Sequence, residues 1–436
     1  MMITGRSLCG SAARRSTQRI LQTLQDRIPN KQEHSRWNST EANMTASLFK
    51  NPIVHQLWTA RQQAKENTLN SNVALDRCTI SKSPLDSRVE ISYPFSTDPL
   101  LWETYKSPWD QMRFGKVLED LDALAGNIAF FHVNDVTTEA PDKFPVIVTA
   151  SVDRIRVGGE RPDGNTDQLL SGQVTWTGSS SMEIRMIMTS SSETEPWLEA
   201  FVTFVTLNPH THKPLRIPQI VPSTPEEQTL FDDGAARAAV KKQRRKQLKS
   251  SNTDPVAATT ARSLLDKAAA HRLMPCLVAD RRAVLVHETK MENAMIAQPQ
   301  VQNLHHRVFG GFLMRRAFEL GFANAYVFGG SRPVFVEVDE VSFVAPVDVG
   351  DLVVLHSRVL YTSPSKSSNK TQVHIEVEAW VTTPEEVQAK RSNQFYFTFE
   401  VDDTAEKCCT VLPSNMDEAL RIVERMQRDD EQDQHR

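Results

Sequence analysis

Two polar side chains in different halves of the chain have the residue types and surroundings that chemistry at a carbonyl group needs. Asp122 lies seven residues after Gly115, within an amphipathic helical pattern, and Asn303 lies eight residues before Gly311, in a loop that leads into a second helix. A carboxylate on a rigid, partly desolvated element can act as a general base, and a side-chain amide can polarise a carbonyl or orient water. Each also has a simpler interpretation, an exposed helix aspartate and a turn asparagine.

Each half of the chain lacks the group that the other half carries. The second half has Phe318 where the first has Asp122, and the first half has Ser107 where the second has Asn303. Phe322 adds another aromatic ring beside Phe318, which is the pattern of a filled hydrophobic core. Two incomplete copies that complement each other predict one composite site between the repeats.

The loop that enters the second helix ends in the glycine pair Gly310 and Gly311. Glycines allow close approach to a helix N-terminus, where free N–H groups can stabilise an oxyanion. His305 and His306 in the same loop are alternative acid–base groups or surface histidines. The first half has Arg113-Phe114-Gly115 in place of a glycine pair, so a second active site is not expected there.

The elements that must position these residues occur twice and in the same order. Apolar residues at spacings of three and four predict helices at 113–131 and 310–328. Strand patterns with much apolar alternation follow each helix. They cover 146–157, 169–177, 181–188 and 198–207 in the first half, and 334–343, 351–361, 371–381 and 395–401 in the second.

A helix followed by antiparallel strands predicts an α+β layer in which a long sheet wraps one helix. One such unit alone leaves a sheet edge exposed. Two units that pair edge to edge form a continuous sheet and remove that exposed edge. The duplicated pattern therefore predicts intimate contact between the halves.

The composition narrows the classes of protein. The 436 residues carry a formal charge of −4, and 39% are apolar and 24% charged, so no nucleic-acid partner is expected. The five cysteines show no metal-ligand spacing and indicate reduced thiols, and no apolar run is long enough to span a membrane. No GxSxG elbow, Walker A loop or strand-coupled GxGxxG is present. We expect no metal.

The ends of the chain and the segment between the repeats have their own signatures. The first 25 residues contain four arginines and no acidic residue, which is typical of a mitochondrial transit peptide, although a disordered basic tail has the same composition. The run 241–246 (KKQRRK) indicates a solvated helix face, with a nucleic-acid or lipid contact as the alternative. The acid-rich end of the chain is expected to form a peripheral helix.

Three stretches together resemble the hotdog-fold acyl-coenzyme A thioesterases. They are the glycine-pair helix entry 308–315 (VFGGFLMR), the helix segment 121–126 (LDALAG) and the hairpin 177–183 (TGSSSME). The resemblance covers about residues 85–208 and 289–401. It implies a double hotdog, that is, two tandem units whose long antiparallel sheets wrap a central helix and pair into a continuous sheet.

The resemblance also implies an activity and a set of site residues. The family uses an aspartate and an asparagine from opposite units, which gives catalytic roles to Asp122 and Asn303, with Gly310 and Gly311 at the oxyanion position. The hairpin motif implies coenzyme A contacts at Ser179, Ser180 and Ser181. The implied reaction is hydrolysis of acyl-coenzyme A to a fatty acid and coenzyme A in the mitochondrial matrix, with no separate cofactor and with further homo-oligomerisation.

The predicted organisation of the chain follows from these boundaries. The segments are a transit peptide, a helical extension, the first hotdog unit, a linker with the basic helix, the second hotdog unit and a tail, at residues 1–37, 38–84, 85–208, 209–288, 289–401 and 402–436. Two other functions suit the same architecture. One is an acyl-thioester hydratase or dehydratase that depends on His305 or His306, and the other is a non-catalytic scaffold that binds acyl-coenzyme A.

Overall fold

The structure of the chain is a computed structural model. It describes residues 51–70, 81–133, 144–158, 162–191, 193, 195–249, 255–274, 283–303, 307–365, 370–402 and 410–434. The predicted transit peptide at 1–37 and the first part of the predicted extension lie outside these ranges.

The first half of the chain supplies three helices and seven strands to the described structure. They are α1 (Pro52–Asn70), β1 (Ser81–Lys82), β2 (Val89–Tyr93), α2 (Pro99–Tyr105), α3 (Phe114–Val133), β3 (Val146–Val157), β4 (Gln168–Thr177), β5 (Ser181–Ser190), β6 (Leu198–Leu207) and β7 (Gln219–Ile220). Residues between the halves form α4 (Pro225–Lys249) and α5 (Pro255–Leu273).

The second half repeats the order of the first. It contains β8 (Ala283–Leu285), β9 (Met291–Ile296), α6 (Gly310–Gly329), β10 (Val334–Phe343), β11 (Leu352–Pro364), β12 (Lys370–Thr383), β13 (Gln388–Asp402), β14 (Thr410–Leu412) and α7 (Met416–Gln434). The helices α3 and α6, which begin at equivalent residues, both span 20 residues.

Ten strands form one antiparallel sheet in the order β2-β4-β5-β6-β3-β10-β13-β12-β11-β9. The first five strands come from one half and the last five, in mirrored order, from the other. The halves join where β3 pairs with β10, with Val152 opposite Val341 and Ile155 opposite Val338. Arg154 donates to Glu337 across this junction at 2.9 Å. The continuous sheet confirms the predicted double hotdog.

Alternation along the strands separates an inner face from an outer face. In β5 the side chains of Met182, Ile184 and Met186 are completely buried on the face that packs against α3. Glu183 points to the opposite face and accepts from Arg237 of α4 at 2.7 Å. The outer face of this half of the sheet is therefore covered by the part of α4 that precedes the basic run.

The two central helices approach each other closely at their glycines. A Cβ atom on Gly115 would lie 2.9 Å from Cγ of Arg315, and one on Gly311 would lie 3.0 Å from Cα of Glu119. Glu119 and Arg315 are 196 positions apart, the separation between the two copies, and form an ion pair at 3.1 Å. Residues that are equivalent in sequence therefore face each other across a pseudo-twofold axis.

The helices outside the repeats are tied into the fold. Asn51, directly before α1, donates to the buried Asp120 at 2.6 Å, and Asn127 of α3 donates to the carbonyl of Leu57 in α1 at 2.7 Å. The expectation that the last helix is peripheral was wrong. Ile422 and Arg425 of α7 are 1% and 3% exposed, because the helix packs on the outer face of the second half of the sheet.

The predicted helices and the eight predicted strands are confirmed, with ends shifted by a few residues. The sequence reading missed β2 and β9, which occupy the two outermost positions of the sheet and are only five and six residues long. Short edge strands carry too few alternations to stand out. The predicted domain boundaries stay predictions.

Candidate functional site

Asp122 and the N-terminus of α6 meet at the junction of the two repeats. The backbone N–H of Gly311 donates to Oδ2 of Asp122 at 2.6 Å. The same carboxyl accepts a hydrogen bond from the side chain of Thr149 on β3. The aspartate of the first half is thus held by a helix terminus of the second, as a composite site requires.

Burial and hydrogen bonding act on this carboxyl in opposite directions. Burial raises the pKa of Asp122 from 3.8 to about 6, although the hydrogen bonds from Gly311 and Thr149 lower it. The residue as a whole keeps part of its surface exposed. At neutral pH it is ionised and is a stronger base than an ordinary aspartate, which suits a general base.

Gly310 leaves the space in front of the carboxyl open. A Cβ atom at this position would lie 3.1 Å from Oδ2 of Asp122 and 3.3 Å from the ring of Phe343. No acceptor for the N–H of Gly310 is present among the described residues. The sequence predicted oxyanion donors at both glycines. The Gly311 N–H is donated to Asp122, so only the Gly310 N–H remains as a candidate donor, and its role stays a prediction.

Asn303 lies in the loop that leads to this helix terminus. Its backbone N–H donates to the carbonyl of Arg307 at 2.6 Å, and its Oδ1 accepts from the N–H of Arg307 at 3.2 Å. A hydrogen bond from Phe309 to Val301, at 2.9 Å, closes the loop. Asn303 is therefore a turn residue as well as a candidate site residue. Its catalytic role stays a prediction.

The first half has the same loop with different side chains. Ser107 donates its N–H to the carbonyl of Gln111 at 2.7 Å, and its Oγ accepts from the N–H of Gln111 at 3.2 Å. The N–H of Arg113 closes the loop on Tyr105 at 2.6 Å. These bonds match those around Asn303, each shifted by the separation between the copies, so the described ends of both loops are closed in the same way.

The helix terminus of the first half is filled by aromatic rings. Phe114 stands where α6 has Gly310, and its ring centroid is 5.3 Å from that of Phe318, the residue equivalent to Asp122. Phe335 packs on both rings, at 4.4 Å and 5.1 Å. Neither a carboxylate nor an open N-terminus remains at this position, as the sequence predicted.

Two residues near the carboxylate were missed from the sequence. Thr149 was one polar residue in a long strand pattern, and only its place opposite α3 identifies it. Trp58 of α1 packs edge to face on Phe309, with centroids 5.4 Å apart, directly before the glycine pair. No signal in the sequence connects α1 with a loop about 250 residues later.

The remaining predicted site residues lie elsewhere or cannot be placed. Ser179 and Ser180 lie in the turn between β4 and β5, and Ser181 is the first residue of β5; in the described structure no hydrogen bond joins them to Asp122 or Gly311. Their coenzyme A contacts stay a prediction. His305 and His306 lie outside the described residues.

The basic run at 241–246 lies in α4, and its first residue contacts the sheet. Lys241 pairs with Asp153 on the outer face of the sheet at 2.5 Å, whereas Lys242 and Gln243 are exposed. The solvated face expected for the whole run stays a prediction. Among the described helices, none combines the length and apolar character that crossing a bilayer requires. No three His, Cys, Asp or Glu residues come together as metal ligands in the ranges given above.

Comparison with known proteins gives consistent matches. The thioesterase superfamily model matches residues 305–387. Acyl-coenzyme A thioesterase 2, chloroplastic, of Humulus lupulus is 38% identical over 394 residues, which are 87% of this chain and 89% of that protein. Acyl-coenzyme A thioesterase 9, mitochondrial, of Homo sapiens is 34% identical over 322 residues, 72% of this chain and 71% of that protein.

Among solved structures, one similar protein is an acyl-CoA hydrolase from Staphylococcus aureus in complex with butyryl coenzyme A, coenzyme A and coenzyme A disulfide. It is 23% identical and covers 35% of this chain and 95% of its own, with a TM-score of 0.30.

Proposed function

The chain belongs to the acyl-coenzyme A thioesterase family, and we propose that it hydrolyses fatty acyl-coenzyme A at one composite site formed by Asp122, Asn303 and the N-terminus of α6. The observation that carries this proposal is the 2.6 Å hydrogen bond between the Gly311 N–H and Asp122 Oδ2, which joins the two halves at a carboxylate. The raised pKa of that carboxylate and the open position at Gly310 support it.

In the proposed reaction, Asp122 accepts a proton from a water molecule as the water oxygen attacks the thioester carbonyl carbon. The carbonyl oxygen becomes an oxyanion, which the Gly310 N–H and the Asn303 amide stabilise by hydrogen bonds. The carbon–sulfur bond then breaks, and the sulfur leaves with the proton that Asp122 accepted. The products are a fatty acid and coenzyme A, and water is the only other reactant, so the reaction needs no separate cofactor.

The other half of the junction supports a single site in each chain. The position of the base is occupied by Phe318, and Phe114 fills the helix terminus. A thioester placed there has neither a general base nor an exposed N–H at the first residue of the helix.

The proposed compartment is the mitochondrial matrix. The relatives include mitochondrial and chloroplast proteins, and the arginine-rich, acid-free first 25 residues of this chain suit a transit peptide for either organelle, so the proposal follows the mitochondrial relatives. A fusion of residues 1–37 to a fluorescent protein should enter mitochondria, and a cytosolic fusion would contradict the assignment. The paired units are proposed to associate further into a homo-oligomer, which light scattering measures.

The test of the proposed site is Asp122→Asn, assayed by release of free thiol from acyl-coenzyme A of several chain lengths. Loss of the general base should lower kcat by about 10²–10⁴. An asparagine Oδ1 can still accept from Gly311, so the fold should persist. A wild-type kcat in this variant would refute the role of Asp122, and release of a hydrated product from an enoyl thioester would identify a hydratase instead.

Stability gives a second readout for the same variant. The pKa of Asp122 is about 6 in the folded protein against 3.8 as the ordinary value, so the folded state holds this proton more tightly. Its ionisation lowers the free energy of unfolding as the pH rises from about 4 to 6, and the loss persists above that range. Asp122→Asn should therefore be more stable than the wild type at pH 8, by about 1–3 kcal/mol.

A matched control is Asp120→Asn, two residues away on the same helix. Asp120 is completely buried and accepts hydrogen bonds from Asn51, Tyr93 and Tyr105. An asparagine presents an N–H₂ group to these donors, so the midpoint of thermal unfolding should fall. The folded variant should keep a kcat close to that of the wild type, because Asp120 does not face the site.

A further inference from the structure

An open cavity lies at the other helix terminus of the junction, where no catalysis is expected. Next to Phe114 and Phe318, where the first half lacks the site residues, lies a cavity of about 570 Å³. Ser107 and Gly115, the equivalents of Asn303 and Gly311, are among its lining residues. A cavity of this size falls in the range that holds small-molecule ligands.

The cavity has an apolar base and an aromatic, cationic mouth. Phe114, Phe318 and Phe322 form the base. At the mouth, the indole of Trp109 is 41% exposed, and the guanidinium of Arg332 lies 5.3 Å from the centre of its ring. An exposed indole with a cation beside it is a surface on which a purine can stack.

One cation at the mouth has no carboxylate partner among the described residues. Arg332 donates to the side-chain oxygen of Gln111 at 2.9 Å, and no carboxylate pairs with it in the described part of the chain. Lys106 and Arg113 also line the cavity, but so do Glu103 and Glu319, with which they pair. The guanidinium of Arg332 is thus available for a phosphate, which arginine binds through two parallel N–H groups.

We propose that this cavity binds a coenzyme A moiety, free or as its thioester, without hydrolysing it. The adenine stacks on Trp109, the phosphates contact Arg332, and the pantetheine arm extends toward the rings of Phe114 and Phe318. The inference deepens the proposed function, because it places the same class of ligand at the equivalent position of the other repeat. Phe318 and Ser107 stand where the other repeat has Asp122 and Asn303, so a ligand bound here does not meet the proposed base and amide.

The test is the number of desulfo-coenzyme A molecules that the full-length chain binds in isothermal titration calorimetry. This probe lacks the thiol, so it neither reacts with cysteines nor undergoes hydrolysis. We expect two molecules per chain. Trp109→Leu and Arg332→Gln should each weaken one of the two sites about ten- to a hundredfold. Gly310→Phe, which copies Phe114 into the proposed active site, should abolish the other.

The outcomes separate this inference from the proposed active site. One molecule per chain, lost in Gly310→Phe and kept in Trp109→Leu, overturns the second pocket and leaves the active site standing. One molecule per chain with the opposite pattern overturns the active-site assignment. Two molecules that persist unweakened in Trp109→Leu and Arg332→Gln also overturn the inference.

Fragments of the ligand decide its class. If 3′,5′-adenosine diphosphate or pantetheine alone binds this pocket as tightly as desulfo-coenzyme A does, the ligand is a nucleotide or a simple thiol and the assignment fails. Circular dichroism and thermal unfolding of Trp109→Leu and Arg332→Gln show whether each variant is folded, and because both must give the same result, damage to one does not hide the answer.

Discussion

The N-termini of α3 and α6 are built alike but carry different side chains. Both begin after a loop closed by the same hydrogen bonds, and both contact the other helix through a glycine. At α6 the loop carries Asn303, the helix begins at Gly310, and Asp122 faces it. At α3 the same three places hold Ser107, Phe114 and Phe318. Three side chains, rather than the fold, therefore separate a candidate active site from a cavity that is not expected to catalyse the reaction.

The helix contact between the two termini shows what a tandem chain permits. In a symmetric pair of identical units, a residue beside the axis faces its own copy. Here Glu119 faces its equivalent, Arg315, at 3.1 Å, and the pair is about nine-tenths and four-fifths buried. Two glutamates or two arginines in this place would repel each other. Duplication within one chain let the two copies take opposite charges, just as it let them divide the site residues.

The largest expected effect comes from making the active terminus like the inert one. Gly310→Phe should lower kcat at least about a thousandfold, because it removes the exposed helix terminus and crowds the base, and each effect of this kind is worth about 10²–10³. A Cβ atom at this position lies 3.1 Å from Oδ2 of Asp122. The measurement is thiol release from acyl-coenzyme A.

The protein should remain folded, since α3 begins with a phenylalanine at the equivalent position. A matched control is Gly158→Ala, at a glycine whose added Cβ meets no atom within 4 Å. Normal turnover by Gly310→Phe would show that the reaction does not occur at this helix terminus.

The next effect tests the loop. Asn303→Ser copies Ser107, whose Oγ accepts from the backbone N–H four residues later just as the asparagine oxygen does. The loop should therefore keep its conformation while the amide group is lost. Removing one oxyanion donor lowers kcat by about 10²–10³, and a residue that only orients water should have a smaller effect. A kcat equal to that of the wild type would leave Asn303 as a turn residue and nothing more.

The sequence alone predicted the two central helices, the long strands and the junction between the repeats, and the reason is physical. Helix and strand periods reveal elements whose faces are consistently buried, so α3, α6 and the eight long strands were found. The second half has lost the equivalent of Asp122, and the first half has lost the equivalent of Asn303. These complementary losses identified the junction, because equivalent positions can be read from one chain. The short edge strands β2 and β9 were missed because five or six residues give too little pattern.

Contacts between distant parts of the chain could not be predicted from the periodicity of the sequence. The bond from Gly311 to Asp122 fixes which N–H remains for an oxyanion, and it depends on the depth at which α3 packs against α6. Thr149 and Trp58 reach the site from β3 and α1, and no local signal marks either. The buried face of α7 was overlooked because its acidic residues dominate the composition, while Ile422 and Arg425 are buried underneath.

The pH dependence distinguishes a base from a residue that only shapes the pocket. Since burial raises the pKa of Asp122 to about 6, kcat/KM should be constant above that pH and should fall tenfold for each further unit below it. The ionised form is the active one, so activity is lost on acidification. Thiol release at pH 5 to 8 measures the profile, and a constant rate down to pH 5 would exclude a base with this pKa.

The smallest effect concerns the charges beside the pseudo-twofold axis. Glu119→Arg places two arginines next to each other. The free energy of unfolding should fall by less than the about 3–5 kcal/mol expected for a fully buried pair, because Arg315 keeps 18% of its side-chain surface exposed. The double exchange Glu119→Arg with Arg315→Glu restores opposite charges. It should recover most of the loss, leaving a difference of about 1 kcal/mol that reflects the neighbours Lys116 and Glu319. Urea unfolding of the three proteins measures the coupling. If the double exchange is no more stable than Glu119→Arg alone, the two residues do not act as a pair, and the divergence of the copies at the axis has another cause.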